Sequence, residues 1–254
     1  MVKTSKHIIV QARTSSSRFP NKILKSIGDE TLLGLLIKRV KKAQKINQVI
    51  VATSTNSSDD IVQSIATKLD VKTSRGSLED VLDRYYQTAL RYNSELIVRI
   101  TGDCPLIDPG LIDLMIEKFE GTKLDYLSNT LDPLFPDGQD IEIFSFEALK
   151  KAWRNAKLNS EREHVTPFIY KNSSYYGKSL FKADNFGNFG EDYSDIRMTV
   201  DYESDFKIIQ SLVENGGYDS TWKQYSDIYH KKKLDRFTSN IKRNEGYFKS
   251  LEND

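Results

Sequence analysis

The first half of the chain alternates short runs rich in β-branched residues with longer segments that are apolar on one helical face. The strand-like runs lie at 6–12 (KHIIVQA), 48–53 (QVIVAT), 70–73, 96–101 (LIVRIT) and 124–128. The helix-like segments fall between them, at 31–45, 59–69, 78–92 and 110–119. A helix between two strands crosses over the sheet, so the strands on either side of it run parallel. The sequence therefore predicts an α/β fold, an open and mostly parallel sheet with helices on both faces.

The pattern changes after about residue 129. The stretch 130–139 holds Pro133, Pro136 and Gly138, which together predict a loop. A strand at 140–144, helices at 146–157 and 161–171 and an irregular stretch at 175–190 follow. A strand-like run at 196–200 and helices at 203–215 and 222–235 then resume the α/β pattern. We therefore predict one domain over 1–254 with an inserted segment at about 130–195.

Composition excludes several classes of protein. The charge is balanced, with 37 Lys and Arg against 36 Asp and Glu, so the footprint of a nucleic-acid binder is absent. The mean hydropathy is −0.52, and no apolar run is long enough to span a membrane or act as a secretory leader. One Cys forms no intramolecular disulfide, which suits the cytoplasm, and with three His it cannot supply a structural zinc site. Any metal is expected to be oxygen-ligated, such as Mg²⁺.

The loop after the first strand, residues 12–22, is rich in hydroxyls and cations. Its Ser and Thr side chains and its backbone N–H groups can surround an anion, and Arg13 and Lys22 add the charge that a polyphosphate requires. The glycine patterns of the Walker A loop and of the dinucleotide-binding turn are both absent. The alternative is a solvated polar connection with incidental cations.

A second loop places a carboxylate at the end of a buried strand. Asp103 follows the run 96–101, and Asp201 follows the strand-like run 196–200. In an open parallel sheet, ligands bind at the carboxyl ends of the strands, so both carboxylates could lie at one edge. Together they would suit Mg²⁺ bridging to phosphate oxygens. The alternative for Asp201 is an N-cap of the helix that begins near 203.

Six motifs occur in a characteristic order between residues 7 and 210. They are 9–13 with 17–22, 75–85, 99–109, 140–142, 161–167 and 197–201. In this order they resemble the cytidylyltransferases that activate acidic sugars, the acylneuraminate and 3-deoxy-manno-octulosonate enzymes. The fuller match is to the SpsF-like, spore-coat polysaccharide branch of that family.

The resemblance implies a nucleotide-diphospho-sugar transferase-like fold and a Mg²⁺-dependent reaction. An acidic sugar similar to sialic acid would attack the α-phosphate of CTP, forming a CMP-sugar for a surface polysaccharide and releasing pyrophosphate. The chain would act in the cytoplasm as a homodimer joined through the inserted segment, with neither a nucleic acid nor a membrane as partner.

The same resemblance assigns roles to individual residues. The catalytic set would be Arg13, Lys22 and Asp103, and the metal ligands Asp103 and Asp201. The nucleotide would be held by Ala12, Arg13, Ser17, Lys22, Arg75, Asp80 and Thr101. The sugar would be met by Asp140, Glu142, Arg162, Glu163 and His164.

Departures from the family pattern leave alternatives open. Thr101 stands where sialate and octulosonate relatives usually have Gln, so another nucleoside triphosphate acting on a sugar 1-phosphate remains an alternative. The charged residues at 140–164 could equally form an ion-pair network that ties the inserted segment to the core. A glycosyltransferase of similar architecture and a scaffold that has lost catalysis are the other readings. For Cys104 and His164 a structural role is favoured over a catalytic one.

Overall fold

The computed structural model describes residues 4–187, 190–238, 240–252 and 254. The strands are β1 Lys6–Gln11, β2 Ser26–Ile27, β3 Glu30–Thr31, β4 Gln48–Ser54, β5 Lys72–Gly76, β6 Leu96–Thr101, β7 Tyr126–Ser128, β8 Glu142–Ser145 and β9 Ala183–Asn185. The α-helices are α1 Leu32–Val40, α2 Asp60–Lys68, α3 Val81–Arg91, α4 Pro109–Glu120, α5 Phe146–Asn155, α6 Asn159–His164, α7 Pro167–Lys171, α8 Glu203–Gly216, α9 Trp222–Lys232 and α10 Glu245–Leu251. Within these ranges, no helix has the length and apolar character needed to cross a membrane.

Seven of the described strands form one sheet in the order β5-β4-β1-β6-β8-β7-β9. β1 lies parallel to both β4 and β6, and β4 lies parallel to β5. Only β8, among the described strands of this sheet, runs against its neighbours, antiparallel to β6 and β7. The open, mostly parallel sheet is therefore confirmed.

Both faces of the sheet are covered by helices. Along β1, Ile8 and Val10 point into a core shared with α1, α2 and α4, whereas Ile9 points into a second core shared with α3 and α5. This alternation follows from the strand period of two residues. All three side chains are fully buried, as expected for a central parallel strand. A third cluster packs α8 and α9 against Met198 and Val200.

The segment 130–195 is interleaved with the main sheet. β8 lies between β6 and β7, and β9 forms the edge beside β7. The helix α5 packs on the second face of the sheet through Leu149.

Two predicted elements differ in the structure. The helix predicted at 161–171 is two helices, because Val165 has a left-handed φ of 73° and ends α6 before Pro167 begins α7. The strand predicted at 196–200 is an extended segment with one isolated bridge, between Asp137 and Arg197. Met198 and Val200 of this segment are buried against α8 and α9, so the apolar run reflects packing on helices.

Candidate active site

The loops that follow β1 and β6 meet at the carboxyl end of the sheet. The Gly102 N–H donates to the Gln11 carbonyl at 2.8 Å. A Cβ at position 102 would lie 2.9 Å from that oxygen and 3.2 Å from the Ala12 Cβ, so only glycine permits this approach. The contact places Asp103 beside the loop 12–22.

Lys22 lies between the two predicted metal ligands. Its Nζ is 2.9 Å from Asp201 Oδ1 and 3.3 Å from Asp103 Oδ2. Burial lowers the pKa of Lys22, but the two carboxylates outweigh it and raise that pKa overall. Burial raises the pKa of Asp103, but the Lys22 charge and the Thr101 hydrogen bond lower it to about 2. Lys22 is therefore protonated and Asp103 ionised at neutral pH.

Asp201 is shared by several cations. Arg18 Nη2 donates to its Oδ1 at 2.6 Å, and Arg197 Nη2 lies 3.3 Å from its Oδ2. The N-cap position of α8 is Tyr202, and the Asp205 carboxylate accepts from the N–H groups of Asp201 and Tyr202 at 2.7 and 2.9 Å. The Asp201 side chain therefore faces the cationic loop and is not the N-cap of α8.

A hydrogen-bonded anchor fixes the first loop. The Thr14 N–H and hydroxyl both donate to Asp59 Oδ1, at 2.7 and 2.8 Å, and the Ser54 hydroxyl donates to the other oxygen. Burial raises the pKa of Asp59, but these hydrogen bonds outweigh it and lower that pKa. The loop is thus held on a buried, ionised carboxylate, which argues against a merely solvated connection.

A cavity of about 440 Å³ opens over this loop. It is lined by the predicted residues Ala12, Arg13, Ser17, Lys22, Thr101, Asp103, Glu163, His164 and Asp201. Arg13 donates to the Leu78 carbonyl at 3.3 Å and lies 3.7 Å from the Glu163 carboxylate. We call this space the loop cavity.

A second cavity of about 490 Å³ adjoins the first and is called here the rear cavity. The two share Arg18, Arg99, Thr101, Asp103, His164, Asp201 and Gly246. The predicted residues Asp140 and Glu142 line the rear cavity, together with Asp137.

Asp140 and Asp137 of the rear cavity are each paired with an arginine. Asp140 Oδ1 accepts from Arg243 Nη2 at 2.5 Å, and Asp137 Oδ2 accepts from Arg197 Nη1 at 2.5 Å. Burial raises the pKa of Asp140, although Arg243 opposes the shift. The charge of the rear cavity is therefore largely compensated.

Glu142 pairs with Arg99 directly across the β6–β8 ladder. The Tyr126 hydroxyl at 2.6 Å and the Thr166 hydroxyl at 2.5 Å donate to its other oxygen. This network connects β6, β7, β8 and α7 behind the rear cavity, and it places Arg99 on the boundary of both cavities.

His164 reaches both cavities from the end of α6. Its Nε2 is buried and has no hydrogen-bond partner among the described residues. Burial and the nearby Arg99 lower its pKa to about 4, so the ring is neutral at neutral pH. The ring meets that of Tyr247 edge to face, with centroids 5.1 Å apart.

Three predicted site residues lie apart from the cavity linings that the described residues form. Arg75 donates to the carbonyls of Ser54 and Asn56 at 2.8 and 2.7 Å. Arg162 donates twice to Asp80 Oδ2, at 2.9 and 2.6 Å, and Asp80 also caps α3. The Arg162 contact matches the alternative of an ion pair between the inserted segment and the core, and nucleotide or sugar contacts by these three residues stay predictions.

The structure adds groups that the sequence reasoning did not place in the site. Arg99 had a readable signal, because it is a charged residue inside an apolar strand. Arg18 lies in the cationic loop, but nothing in its spacing separates it from Arg13. The helix α10 contributes Gly246, Lys249 and Ser250 to the loop cavity, and its sequence carries no signal of that role.

The donor set at the centre of the site fits Mg²⁺. Mg²⁺ is usually bound by one or two carboxylates together with waters and substrate phosphates. Asp103 and Asp201 supply such oxygens on the shared rim of the cavities. The described residues contain no group of three or more His, Cys, Asp or Glu that could hold an ion, so phosphate oxygens would have to complete the coordination.

A family model and a solved structure both match this chain. A family model described as cytidylyltransferase matches residues 7–234. The solved structure of a cytidylyltransferase from Leptospira borgpetersenii matches with a TM-score of 0.87 and 32% identity, covering 94% of this chain and 99% of that chain.

Three curated relatives extend this picture. An uncharacterized protein of Methanocaldococcus jannaschii is 40% identical over 204 residues, which are 80% of this chain and 81% of that protein. The spore coat polysaccharide biosynthesis protein SpsF of Bacillus subtilis is 30% identical over 216 residues, 82% of this chain and 86% of that protein. The 3-deoxy-manno-octulosonate cytidylyltransferase of Solibacter usitatus is 32% identical over 133 residues, 52% of each chain.

Proposed function

Because the chain belongs to the cytidylyltransferase family, we propose that it transfers CMP from CTP to an acidic sugar and releases pyrophosphate. The family match and the SpsF relative confirm the resemblance carried by the six sequence motifs. The acidic sugar would be a sialic acid-like nonulosonate or a similar molecule, and the product would serve a surface polysaccharide.

One observation carries the proposal. Asp103 and Asp201 lie on the boundary between two adjoining cavities at the carboxyl end of the sheet, and Lys22 of the loop cavity pairs with both. A nucleotidyl transfer requires this arrangement, because the α-phosphate must lie between the nucleotide on one side and the attacking hydroxyl on the other. We assign the nucleotide to the loop cavity and the sugar to the rear cavity.

The loop cavity supplies the charge that a triphosphate requires. Arg13, Arg18 and Lys22 line it together with the hydroxyls of residues 15–17. These cations would bind the phosphates and stabilise the negative charge that grows on the leaving pyrophosphate. When bound, Mg²⁺ would neutralise further phosphate charge at Asp103 and Asp201.

The rear cavity suits an anionic sugar that carries many hydroxyls. Three of its carboxylates are each paired with an arginine, so they do not strongly repel a sugar carboxylate; the pairs are Asp140–Arg243, Asp137–Arg197 and Glu142–Arg99. The octulosonate relative acts, by its name, on a sugar acid, which supports this class of acceptor.

A cytoplasmic homodimer completes the proposal. Tyr175, Tyr176 and Leu180 are large apolar side chains exposed within one short segment, and Tyr176 also borders the rear cavity. A second copy of the chain would cover them. Light scattering on the purified protein tests this point, and a monomer at micromolar concentration would contradict it.

Nucleotide choice is the first experiment. Thermal unfolding is measured with CTP, UTP, ATP or GTP and Mg²⁺, for wild type and for Asp103→Asn. CTP at 100 times its Kd should stabilise the wild type by about 2.7 kcal/mol, and by less in the variant. Preference for another nucleotide would favour the sugar-phosphate alternative, and no shift with any nucleotide would contradict nucleotidyl transfer.

The second experiment identifies the acceptor by measuring the release of pyrophosphate. The protein is incubated with CTP, Mg²⁺ and either N-acetylneuraminate, 3-deoxy-manno-octulosonate or glucose 1-phosphate. Release with a sugar acid supports the proposal. Release with glucose 1-phosphate alone would overturn the acidic-sugar assignment while leaving the nucleotidyl transfer intact.

A further inference from the structure

The helix α10 lies across the rim between the two cavities. Its Gly246 lines both of them, and it falls outside residues 7–234, which the family model matches. The residues just before and just after α10 are hydrogen-bonded to the rest of the protein. Arg243 donates to the Phe135 carbonyl at 3.1 Å, and the Asp254 carboxylate accepts from the Ser160 N–H and hydroxyl at 2.7 and 2.5 Å.

The first residue of α10, Glu245, faces Arg18, a cation of the loop 12–22. Glu245 Oε2 lies 3.9 Å from Arg18 Nη1, while Arg18 Nη2 donates to Asp201 at 2.6 Å. The Tyr202 hydroxyl donates to the same Glu245 carboxylate and holds it in place. Gly246 leaves room for this group, since a Cβ there would lie 3.3 Å from Arg18 Nη1. The Arg18 guanidinium is therefore enclosed between two carboxylates.

We propose that Glu245 determines nucleotide affinity by competing with the triphosphate for Arg18. This inference rests on the proposed function, because it takes CTP as the ligand of the loop cavity. A polyphosphate arriving at Arg13, Arg18 and Lys22 offers Arg18 a more highly charged partner than one carboxylate. It also repels Glu245, which lines the adjoining rear cavity.

The competition connects the two cavities. Residues 244–248 line the rear cavity, so a change in the position of Glu245 alters the wall of the space assigned to the sugar. Binding of CTP thereby weakens the Glu245–Arg18 contact between this wall and the loop 12–22.

Charge-neutral variants of the contact test the proposal. The Kd values of CMP, CDP and CTP with Mg²⁺ are measured by calorimetry for wild type, Glu245→Gln and Tyr202→Phe. Glu245→Gln should bind CTP about two- to fivefold more tightly than wild type, the scale of a solvent-exposed charge contact. The increase in affinity should be smaller for CDP than for CTP and smallest for CMP, because fewer phosphate groups are available to pair with Arg18. Tyr202→Phe should change CTP affinity in the same direction by a smaller factor.

A matched control lies on the same helix. Glu252 is exposed at the end of α10 and forms no ion pair among the described residues, so Glu252→Gln should bind all three nucleotides like wild type. Unchanged or weaker CTP binding by Glu245→Gln would overturn the inference, and so would an equal gain for CMP and CTP. A wild type that binds no CTP would overturn the proposed function as well, so the two failures are distinguishable.

Discussion

Lys22 concentrates the electrostatics of the site in a single side chain. It is buried between two carboxylates, and its positive charge balances them beside the cavity assigned to the triphosphate. A neutral side chain at this position would leave Asp103 without a cationic partner among the described residues, facing an incoming anion.

Replacing this lysine is the first prediction at the residue scale. Lys22→Met should weaken CTP binding by about tenfold or more, because it removes a phosphate ligand and the cation that pairs with Asp103, while Asp201 keeps Arg18 and Arg197. Calorimetry with CTP and Mg²⁺ measures the effect. Lys25→Met, at an exposed lysine three residues away, is the control and should bind like wild type. Equal affinities for the two variants would remove Lys22 from the nucleotide site.

His164 predicts a pH dependence of stability. Burial lowers its pKa in the folded state to about 4, below the usual value near 6.5, so the unfolded chain takes up this proton first as the pH falls. The free energy of unfolding should therefore decline between pH 6.5 and about 4, by on the order of 2 kcal/mol from this group. Urea unfolding at pH 7 and pH 4.5 measures the decline.

The matching variants isolate that contribution. His164→Gln should show a shallower loss of stability than wild type over this pH range, because it has no group to protonate. His230→Gln replaces an exposed histidine on α9 and should keep the wild-type slope. Identical slopes for His164→Gln and wild type would show that His164 is not held neutral by the fold.

At the scale of elements, a glycine determines how the segment 130–139 passes the segment 196–200. Gly138 has a left-handed φ of 105°, and a Cβ there would lie 2.5 Å from the Met198 carbonyl carbon. The neighbouring Asp137 exchanges backbone hydrogen bonds with Ile196 and Met198 at 2.9 and 2.6 Å. This crossing positions Arg197, which holds Asp201.

Adding one methyl group at the crossing should be costly. Gly138→Ala should lower the free energy of unfolding by about 2–4 kcal/mol, from backbone strain together with the clash. Gly177→Ala also requires a left-handed φ but meets no atom within 4 Å, so it should cost only about 1 kcal/mol. Urea unfolding compares the two, and equal losses would mean that the close approach at Gly138 does not matter.

Local pattern predicted the parallel half of the sheet well and failed where an element depends on distant partners. The runs at 6–12 and 96–101 became β1 and β6 because β-branched residues there are buried on both faces. The run at 196–200 also contains β-branched residues but lies against helices. Pro167 is a sequence signal for a break in the helix predicted at 161–171, whereas the left-handed φ at the β-branched Val165 is imposed by its surroundings.

The site was predictable to the extent that it follows strand ends. Lys22 and Asp103 converge because their loops follow β1 and β6 at the same edge of the sheet. Asp201 joins them from the segment 196–200, which lies outside the sheet and is held there by the Val200 N–H, a donor to the Asp103 carbonyl at 2.8 Å. Arg75 and Asp80 lie near that edge in sequence, yet their side chains bond to neighbouring loops and helices. The contribution of α10 depends on where the end of the described chain folds back, which no local pattern encodes.

At the scale of the whole molecule, β8 ties the segment 130–195 into the sheet. It pairs with β6 on one side and β7 on the other, and its Ile143 and Phe144 belong to opposite cores. A segment connected in this way cannot open without exposing both faces of the sheet.

Hydrogen exchange tests this integration. The amides of β8 should exchange as slowly as those of β1 and β6, because all three strands open only with global unfolding. Mass spectrometry of peptides covering β1, β6 and β8 measures the rates, and the exposed stretch 175–180 is the fast-exchanging reference. Rapid exchange of β8 alone would show that the segment opens as a separate unit.

The two cavities are built from different parts of the chain. Apart from the shared rim, the loop cavity is built mainly by residues 11–23, and the rear cavity mainly by residues 130–248. Substitutions in the later part of the chain can therefore reshape the rear cavity without changing the loop 12–22. Under the proposed assignment of the two cavities, chains that share the loop 12–22 can differ in the acceptor that they bind.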